Sequence, residues 1–314
     1  MQDLLPYILK HRNIARLDDR DIYITDRRAY PFEKKEVKCS GYKDVASAIK
    51  MMVTQGGGPL EAALIAMIHT YRYDKDNLKE AASELSAARS TNTTMLRTIK
   101  ELMSRYSEGE EFEEVADEIF KRFDNRYDKM SDYGESLIKD GDGILTTCFP
   151  EHSFILSVAK AVKNGKSVKV FVPETRPYFQ GAHLTEPSLR ELGIECYLIT
   201  DGMPAHFMAL GDIKLYMTAA DLALNDKTVV NKTGTLSNAI AAKYHKIPYY
   251  AFSAGIDSSK TKDDIKVEYR SGDEIKRYGS WQIADENAKP IYPCFDIIPS
   301  DLVSGIITED GIIR

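Results

Sequence analysis

The chain has 314 residues, 43% of them hydrophobic, and a formal net charge of −6 at pH 7. A chain of this length and composition can bury a large core and favours two domains. The acidic balance offers no positive surface for nucleic acid, and no apolar run approaches the roughly 20 residues of a membrane span, so we expect neither nucleic acid nor a membrane as a partner.

The start of the chain and its cysteines favour a cytoplasmic protein. Residues 1–6 lack the basic start and the long apolar core of a signal peptide. The four cysteines have no pairing pattern, which is typical of reduced thiols in the cytosol: Cys39, Cys148, Cys196 and Cys294. No His or Cys pair has the spacing of a zinc site, so the sequence predicts no metal.

The first part of the chain is predicted to be a small, mostly helical domain with a short β start at residues 21–25 and 30–39. The predicted helices cover residues 42–54, 60–73, 76–89, 91–106 and 110–139. The last of these is charged, with apolar residues at helical spacing, and is interpreted as a connector or a partner-facing arm. We place this domain at residues 1–128.

The second part, residues 129–314, alternates strands with helices. The predicted strands cover residues 143–148, 167–172, 196–200, 213–217 and 248–253, and the predicted helices cover residues 153–164, 184–192, 205–210 and 236–243. This alternation predicts an α/β domain with a doubly wound, largely parallel sheet. The first strand is not followed by Gly-x-Gly-x-x-Gly, and the chain has no Gly-x-x-x-x-Gly-Lys-Ser/Thr, so we expect no dinucleotide cofactor and no NTPase activity.

Polar groups follow several predicted strands, at the edge where open α/β sheets bind ligands. Cys148 precedes a helix whose dipole would lower the pKa of a reactive thiol, although a buried structural thiol is the alternative. Asp221 is a candidate general acid or base, a helix cap or a salt-bridge partner. Arg176 and Gln180 either bind a ligand or brace their loop.

Residues 229–235 read Val-Val-Asn-Lys-Thr-Gly-Thr and precede a predicted helix. The free backbone N–H groups of a helix N-terminus favour anions. Lys232 adds charge, Gly234 lets the backbone approach a ligand, and Asn231 adds donors. The segment therefore predicts an anion site close to Asp221, with an ordinary capped turn as the alternative.

Taken together, these strings resemble the methylthioribose-1-phosphate isomerase family, which is homologous to the alpha, beta and delta regulatory subunits of translation initiation factor 2B. The resemblance runs from about Asp21 to the last residue. It rests above all on Glu-Thr-Arg-Pro-Tyr-Phe-Gln-Gly at residues 174–181 and on Asn-Lys-Thr-Gly-Thr at residues 231–235. Further matching strings lie at residues 56–59, 88–91, 146–148, 199–203, 219–221, 243–249, 293–296 and 305–309.

The resemblance implies a cofactor-free aldose–ketose isomerase with a helical N-terminal domain and a Rossmann-like C-terminal domain, and it implies a homodimer. It places the family's catalytic cysteine on Cys148 and its catalytic aspartate on Asp221. The residues that contact the sugar phosphate would be Gly56, Gly57, Gly58, Arg89, Gln180, Asn231 and Lys232.

The implied chemistry fits these side chains. A furanose blocked at C1 by phosphate cannot open spontaneously, so an acid must protonate the ring oxygen before hydrogen moves from C2 to C1. Asp221 is the candidate acid, and we expect an apolar setting formed by Met217, Ala219, Ala220 and Leu222 to raise its pKa. Cys148 would assist the hydrogen transfer.

The chain departs from the family at several positions. The family's Arg-Gly-Ala-Pro is Gly-Gly-Gly-Pro at residues 56–59, so one phosphate-contacting Arg is absent, at a cost of about 1.5–3 kcal/mol of binding. A nest of glycine N–H groups would recover part of it. Phe149 follows the cysteine where the family has Asn, Leu222 replaces an Arg, and Tyr292 replaces another Asn. Phe149 favours a more apolar 5-substituent on the sugar.

Three functions therefore stay open. The first is isomerisation of a 5-substituted ribose 1-phosphate of the methylthioribose or 5-deoxyribose type. The second is a non-catalytic sensor of sugar phosphates or nucleotides, or a binding scaffold, of the initiation-factor type. The third is isomerisation of ribose 1,5-bisphosphate, for which Arg176, His183 and Lys214 are the available cations.

Overall fold

A computed structural model describes residues 2–89 and 93–314, which form two compact units, residues 2–125 and residues 126–314. The predicted boundary at 128/129 lies three residues from this division. In the first unit, strands β1 (Ala15–Asp18), β2 (Asp21–Thr25) and β3 (Glu36–Cys39) form an antiparallel sheet in that order. The α-helices that begin in this part of the chain are α1 (His11–Ile14), α2 (Tyr42–Lys50), α3 (Gly58–Tyr73), α4 (Leu78–Ala88), α5 (Thr93–Ser107) and α6 (Phe112–Leu137). Short 3₁₀ turns lie at Gln2–Leu4, Tyr7–Leu9 and Lys75–Asn77.

The strand expected over residues 30–39 is wrong in its first half, since β3 begins at Glu36 and residues 27–32 form turns. Pro31 lacks the N–H that a strand ladder requires, which accounts for the late start. The helix expected from residue 91 begins at a position outside the described residues.

The strands of the second unit are β4 (Gly143–Leu145), β5 (Lys169–Pro173), β6 (Glu195–Ile199), β7 (Leu215–Ala219), β8 (Leu222–Ala223), β9 (Val229–Lys232), β10 (Tyr249–Phe252), β11 (Tyr269–Arg270), β12 (Arg277–Tyr278), β13 (Trp281–Gln282), β14 (Tyr292–Pro293), β15 (Phe295–Ile298), β16 (Gly305–Thr308) and β17 (Gly311–Ile313). Its helices are α7 (Glu151–Lys163), α8 (Glu186–Glu191), α9 (Pro204–Leu210), α10 (Thr235–Tyr244) and α11 (Asp273–Lys276). A π-helical turn, Gly181–Thr185, precedes α8, and 3₁₀ turns lie at Lys262–Asp264 and Ser300–Leu302.

The main sheet of this unit has the strand order β17-β16-β10-β7-β4-β5-β6. Every neighbouring pair in it is parallel except β16 and β17. The predicted α/β fold with a largely parallel central sheet is confirmed. Because the strands are parallel, the segments that follow β4, β5 and β7 leave the sheet at one edge, where ligands bind in such folds.

Behind that edge, buried polar side chains satisfy one another. The rings of Tyr216 and Tyr249 stack at 4.5 Å between centroids, and both are fully buried. The Tyr216 hydroxyl is 2.7 Å from Thr147 Oγ1, and the Tyr249 hydroxyl is 2.9 Å from Thr218 Oγ1. Paired hydroxyls of this kind avoid the cost of burying a polar group without a partner, so the sheet can carry these four polar side chains in its interior.

A second, antiparallel sheet lies in the order β15-β9-β8. It changes the interpretation of residues 229–235, since the first four form a buried strand rather than a loop. Two small ribbons, β11 with β14 and β12 with β13, occupy the long connection after β10.

Candidate functional site

Cys148 lies just beyond β4 with a φ of 64°, in the left-handed region that side chains rarely adopt. Its backbone N–H donates to Thr175 Oγ1 at 3.1 Å, and its carbonyl oxygen accepts a bond of 2.5 Å from Thr185 Oγ1. Thr175 itself has a φ of 63°. Two threonines from the segments after β5 thus hold the cysteine in a costly conformation, which is characteristic of functional sites.

Cys148 is half-buried as a residue, and its thiol is largely removed from water. Burial raises its pKa to about 11, the positive charge of Lys232 and the backbone N–H of Phe149 oppose that rise, and the carboxylates of Asp221 and Glu151 add to it. The predicted lowering of the pKa by a helix dipole is wrong, because desolvation of the thiolate outweighs it. Cys148 therefore carries its proton at neutral pH.

The loop after β5 is braced by a neighbouring carboxylate. Asp201 accepts from the backbone N–H groups of Thr175 at 2.8 Å and Arg176 at 2.7 Å. The Arg176 guanidinium donates to the carbonyl oxygen of Ile275 at 2.9 Å. Of the two functions left open for Arg176, the structure assigns it to bracing.

Gln180 follows in the same loop and is 6% exposed. Its Oε1 atom is buried and has no hydrogen-bond partner in the described chain. A buried acceptor without a hydrogen bond costs about 1–3 kcal/mol of stability. A ligand that donates a hydrogen bond to this oxygen would remove that cost.

Asp221 follows β7 and is exposed. Its backbone N–H donates to the carbonyl oxygen of Val230 at 2.9 Å, which places the residue at the start of the β8–β9 pairing. The apolar setting that the sequence predicted is wrong, because this turn carries Asp221 out of the sheet whose buried strand includes Met217. Its charge nevertheless contributes to the raised pKa of the Cys148 thiol, so the two predicted catalytic groups lie within electrostatic reach of each other.

Asn231 and Lys232 end β9 and are 4% and 8% exposed. Asn231 Nδ2 donates to Thr235 Oγ1 at 3.1 Å. The Lys232 ammonium lies 4.9 Å from the ring centroid of Phe295 and 5.7 Å from that of Tyr178. Within residues 2–89 and 93–314 it has no carboxylate partner, so in this part of the chain the buried cation faces aromatic rings rather than an anion.

The N-terminus of α10 is not the open anion site that the sequence predicted. One oxygen of Asp296, from β15, accepts from the backbone N–H groups of Gly234 at 2.8 Å and Leu236 at 2.9 Å. The N–H of Thr233 donates to the carbonyl oxygen of Cys294 at 3.1 Å. A carboxylate of the chain itself fills the place of the anion, which leaves Lys232 as the cation for a ligand.

The remaining predicted contacts lie in the first unit. Gly56 has a φ of 62°, Gly57 caps α3, and Gly58 begins it. A Cβ atom on Gly58 would lie 2.0 Å from Thr54 Oγ1, so the family's alanine does not fit there without movement. Arg89 follows α4, and its Nη1 atom is buried without a hydrogen-bond partner in the described residues. Ser90 and Thr91 of the matching string lie outside the described residues.

A further set of residues was not predicted. Glu274, in α11, accepts a short hydrogen bond from the Tyr178 hydroxyl, and its other oxygen accepts from Arg270 Nη2 at 3.1 Å. No local sequence signal identifies Glu274. Asp296 belongs to a string on which the resemblance rests, but its capping of α10 needs the three-dimensional pairing of β15 with β9 to be seen.

The comparisons with known proteins bear on this arrangement. A family model described as the initiation factor 2 subunit family matches residues 45–314. The chain belongs to that family.

Similar family members are named as isomerases. The methylthioribose-1-phosphate isomerase of Thermosipho africanus is 34% identical over 319 residues, covering 93% of this chain and 92% of the relative. A crystal structure of 5-methylthioribose 1-phosphate isomerase from Pyrococcus horikoshii OT3 matches with a TM-score of 0.88 and 25% identity, covering 99% of this chain and 94% of that one. The prediction of an aldose–ketose isomerase is confirmed at the level of the class.

The family also includes proteins with a different name. The structure of translation initiation factor eIF-2B, subunit delta, from A. fulgidus matches with a TM-score of 0.84 and 31% identity, covering 96% of each chain.

Among the described residues of this chain, no cluster of three or more metal-ligating side chains is present. No described helix is long and apolar enough to cross a membrane.

Proposed function

We propose that the protein isomerises a 5-substituted ribose 1-phosphate, of the methylthioribose or 5-deoxyribose type, to the corresponding ribulose 1-phosphate. The observation that carries the proposal is the buried ammonium of Lys232, which has aromatic neighbours and no carboxylate among the described residues. A desolvated cation of this kind is costly unless an anion pairs with it. A phosphate would supply that anion close to Cys148 and Asp221, with Asn231 next to Lys232 in β9. The sugar hydroxyls would supply a donor for the unpaired Oε1 atom of Gln180.

The thiol and the carboxyl group divide the proton transfers. The Asp221 carboxylate takes up a proton from water when the sugar phosphate binds, and in that complex it gives the proton to the ring oxygen as the bond from C1 to that oxygen breaks. The Asp221 carboxylate then takes the proton from C2, and the Cys148 thiol delivers one to C1. The C2 hydroxyl returns its proton to the thiolate as the C2 carbonyl forms, so the product is an isomer of the substrate and both side chains are restored. The raised pKa of Cys148 suits a group that begins as a proton donor.

A proton-NMR turnover assay tests the reaction. Purified protein is mixed separately with methylthioribose, 5-deoxyribose and ribose 1-phosphates and with ribose 1,5-bisphosphate. We expect ketose from one of the 5-substituted monophosphates, and in D₂O we expect one deuterium at C1, delivered from the exchanged thiol. Cys148→Ala and Asp221→Asn should abolish turnover, whereas Cys196→Ala and Asp310→Asn, outside the site, should not. Silence of the wild-type protein across the panel would refute the proposal.

The sensor function remains the second candidate, because the structure of eIF-2B subunit delta is 31% identical to this chain and the Gly56–Gly58 loop lacks the family's arginine. Cys148 and Asp221 count against the sensor function. A scaffold needs neither a cysteine held in a strained backbone conformation nor a carboxylate that raises the pKa of its thiol. Binding of the same sugar phosphates without turnover would favour the sensor.

A bisphosphate substrate would need a second phosphate site, and the three candidate cations, Arg176, His183 and Lys214, do not form one. The Arg176 guanidinium donates to the carbonyl oxygen of Ile275, and His183 Nε2 lies 3.3 Å from the Tyr278 hydroxyl. Lys214 precedes β7, and its N–H bonds the carbonyl oxygen of Gly143 at the opposite edge of the sheet. The homodimer also stays a proposal, which light scattering on the purified protein would test.

A further inference from the structure

Tyr178 contacts three residues between positions 270 and 292, a segment to which neither the sequence nor the family resemblance gives a function. The Tyr178 hydroxyl donates to Glu274, and its ring meets the ring of Tyr292 edge-on at 6.1 Å between centroids. The Arg270 guanidinium lies 5.6 Å from the same ring centroid and is paired with Glu274 at 3.1 Å. The position of Tyr178 therefore depends on α11 and the strands beside it.

The same ring is one of the two aromatic faces against the Lys232 ammonium. A cation within about 6 Å of an aromatic centroid is attracted by the ring, more strongly when both are removed from water. Since Lys232 has no carboxylate to fix it within the described chain, the rings of Tyr178 and Phe295 determine where its charge lies.

Glu274 affects that attraction in two ways. Its carboxylate accepts a hydrogen bond from the Tyr178 hydroxyl, which polarises the phenol and enriches the ring in electron density. It also neutralises Arg270, a second cation over the same ring that would otherwise compete with Lys232. Both effects favour Lys232 at the Tyr178 face.

We propose that Glu274 is a positioning residue for anion binding: through the Tyr178 hydroxyl it holds the ring that places the Lys232 ammonium against the phosphate of the ligand. The proposal rests on the proposed function only for the identity of that ligand, since the contacts would serve any phosphate monoester. Glu274 touches no substrate atom in this assignment and acts through Tyr178.

A double-mutant cycle tests it, with inorganic phosphate as the probe in isothermal titration calorimetry. We expect Glu274→Gln to weaken phosphate binding about 3- to 10-fold, the range of a desolvated cation–π contact, and Tyr178→Leu to weaken it more than Tyr178→Phe, which keeps the ring. In the Tyr178→Phe background, Glu274→Gln should weaken binding clearly less than in the wild-type background, because the hydrogen bond to the Tyr178 hydroxyl is already lost and only the effect through Arg270 is left. Glu286→Gln is the matched control, since it removes a carboxylate from the same segment that pairs with Arg277 instead.

The outcomes separate this proposal from the proposed function. An unchanged or tighter phosphate affinity in Glu274→Gln would overturn it, and so would an equal effect of Glu274→Gln in the two backgrounds. With a turned-over substrate, the same variants should raise KM and leave kcat within about twofold, as expected for lost ground-state binding. If the cycle shows coupling but no pentose phosphate is converted, the positioning role stands and the isomerase proposal fails. If a pentose phosphate is converted but the cycle shows no coupling, the isomerase proposal stands and the positioning role fails.

Discussion

Replacing Lys232 with methionine should make the unliganded protein more stable and the liganded protein less stable. Methionine keeps the unbranched stem between Tyr178 and Phe295 and adds sulfur–aromatic contacts worth about 0.3–1.5 kcal/mol each. The substitution loses two cation–π contacts, each about 0.5–2 kcal/mol, but removes a desolvation cost of several kcal/mol for a buried ammonium that has no carboxylate partner among the described residues. We expect a net gain of about 1–2 kcal/mol in the free energy of unfolding.

Phosphate should reverse the order of the two proteins. At a concentration 100 times the Kd, ligand binding stabilises the wild-type protein by about 2.7 kcal/mol, and a variant that cannot bind gains nothing. For a domain of 150–250 residues, each 1 kcal/mol moves Tm by about 2–4 °C. Thermal unfolding across a phosphate titration should therefore give two curves that cross, with Lys232→Met higher at zero phosphate and lower at saturation.

Lys243→Met is the matched control, because that lysine is exposed and donates to the carbonyl oxygen of Asp301 instead. It should leave the phosphate dependence of Tm unchanged. The reasoning is refuted if Lys232→Met unfolds at a lower temperature than the wild-type protein without phosphate, since the lysine would then be structural. It is equally refuted if the variant keeps the wild-type response to phosphate.

Three further predictions concern other parts of the chain. The alkylation rate of Cys148 by iodoacetamide, followed by peptide mass spectrometry, should keep rising up to about pH 11, because desolvation raises the pKa of the thiol. Lys232→Met should move that rise to still higher pH, and a plateau below pH 9 would contradict the raised pKa. His11 contacts Glu61 at 2.8 Å and Asp124 at 3.0 Å, and although burial opposes protonation these carboxylates raise its pKa from 6.5 to about 10. Because the pKa of His11 is higher in the folded state, its contribution to stability, about 1–3 kcal/mol, is fully present below pH 6.5 and is lost as the pH rises towards 10. The free energy of unfolding of His11→Asn, measured in urea, should lack this dependence on pH. Gly58→Ala should cost about 1–3 kcal/mol in urea unfolding, and Thr54→Ala in the same chain should remove most of that cost, because Thr54 Oγ1 occupies the Cβ position.

The sequence was sufficient for the parts of the fold that depend on local patterns. Apolar strands alternating with helices from residue 143 onward predicted the parallel sheet, and Cys148 and Asp221 were correctly placed after strands that lead to one edge. Two expectations about side-chain environment were wrong because they depend on what packs around each group. Burial raises rather than lowers the pKa of Cys148, and the turn into β8 exposes Asp221.

The parts that could not be predicted involve partners far away in the chain. Residues 229–232 pair with β15 along their whole length, and nothing near Lys232 in sequence indicates that partner. The capping of α10 by Asp296 is of the same kind, since the bonded residues are about sixty positions apart. Glu274 lies 96 positions from Tyr178, in a segment with no regular pattern.

The pairing of β9 with β15 has a consequence for synthesis of the protein. The strand that ends in Lys232 gains its central position only when Phe295 and Asp296 have emerged, after nearly all of the chain has been made. Contacts between such distant segments form late, because the entropy of closing a long loop is lost before they are gained. A nascent or truncated chain that already contains Cys148, Asp221 and Lys232 would therefore lack an ordered anion site, so phosphate binding reports that folding has reached its last strands.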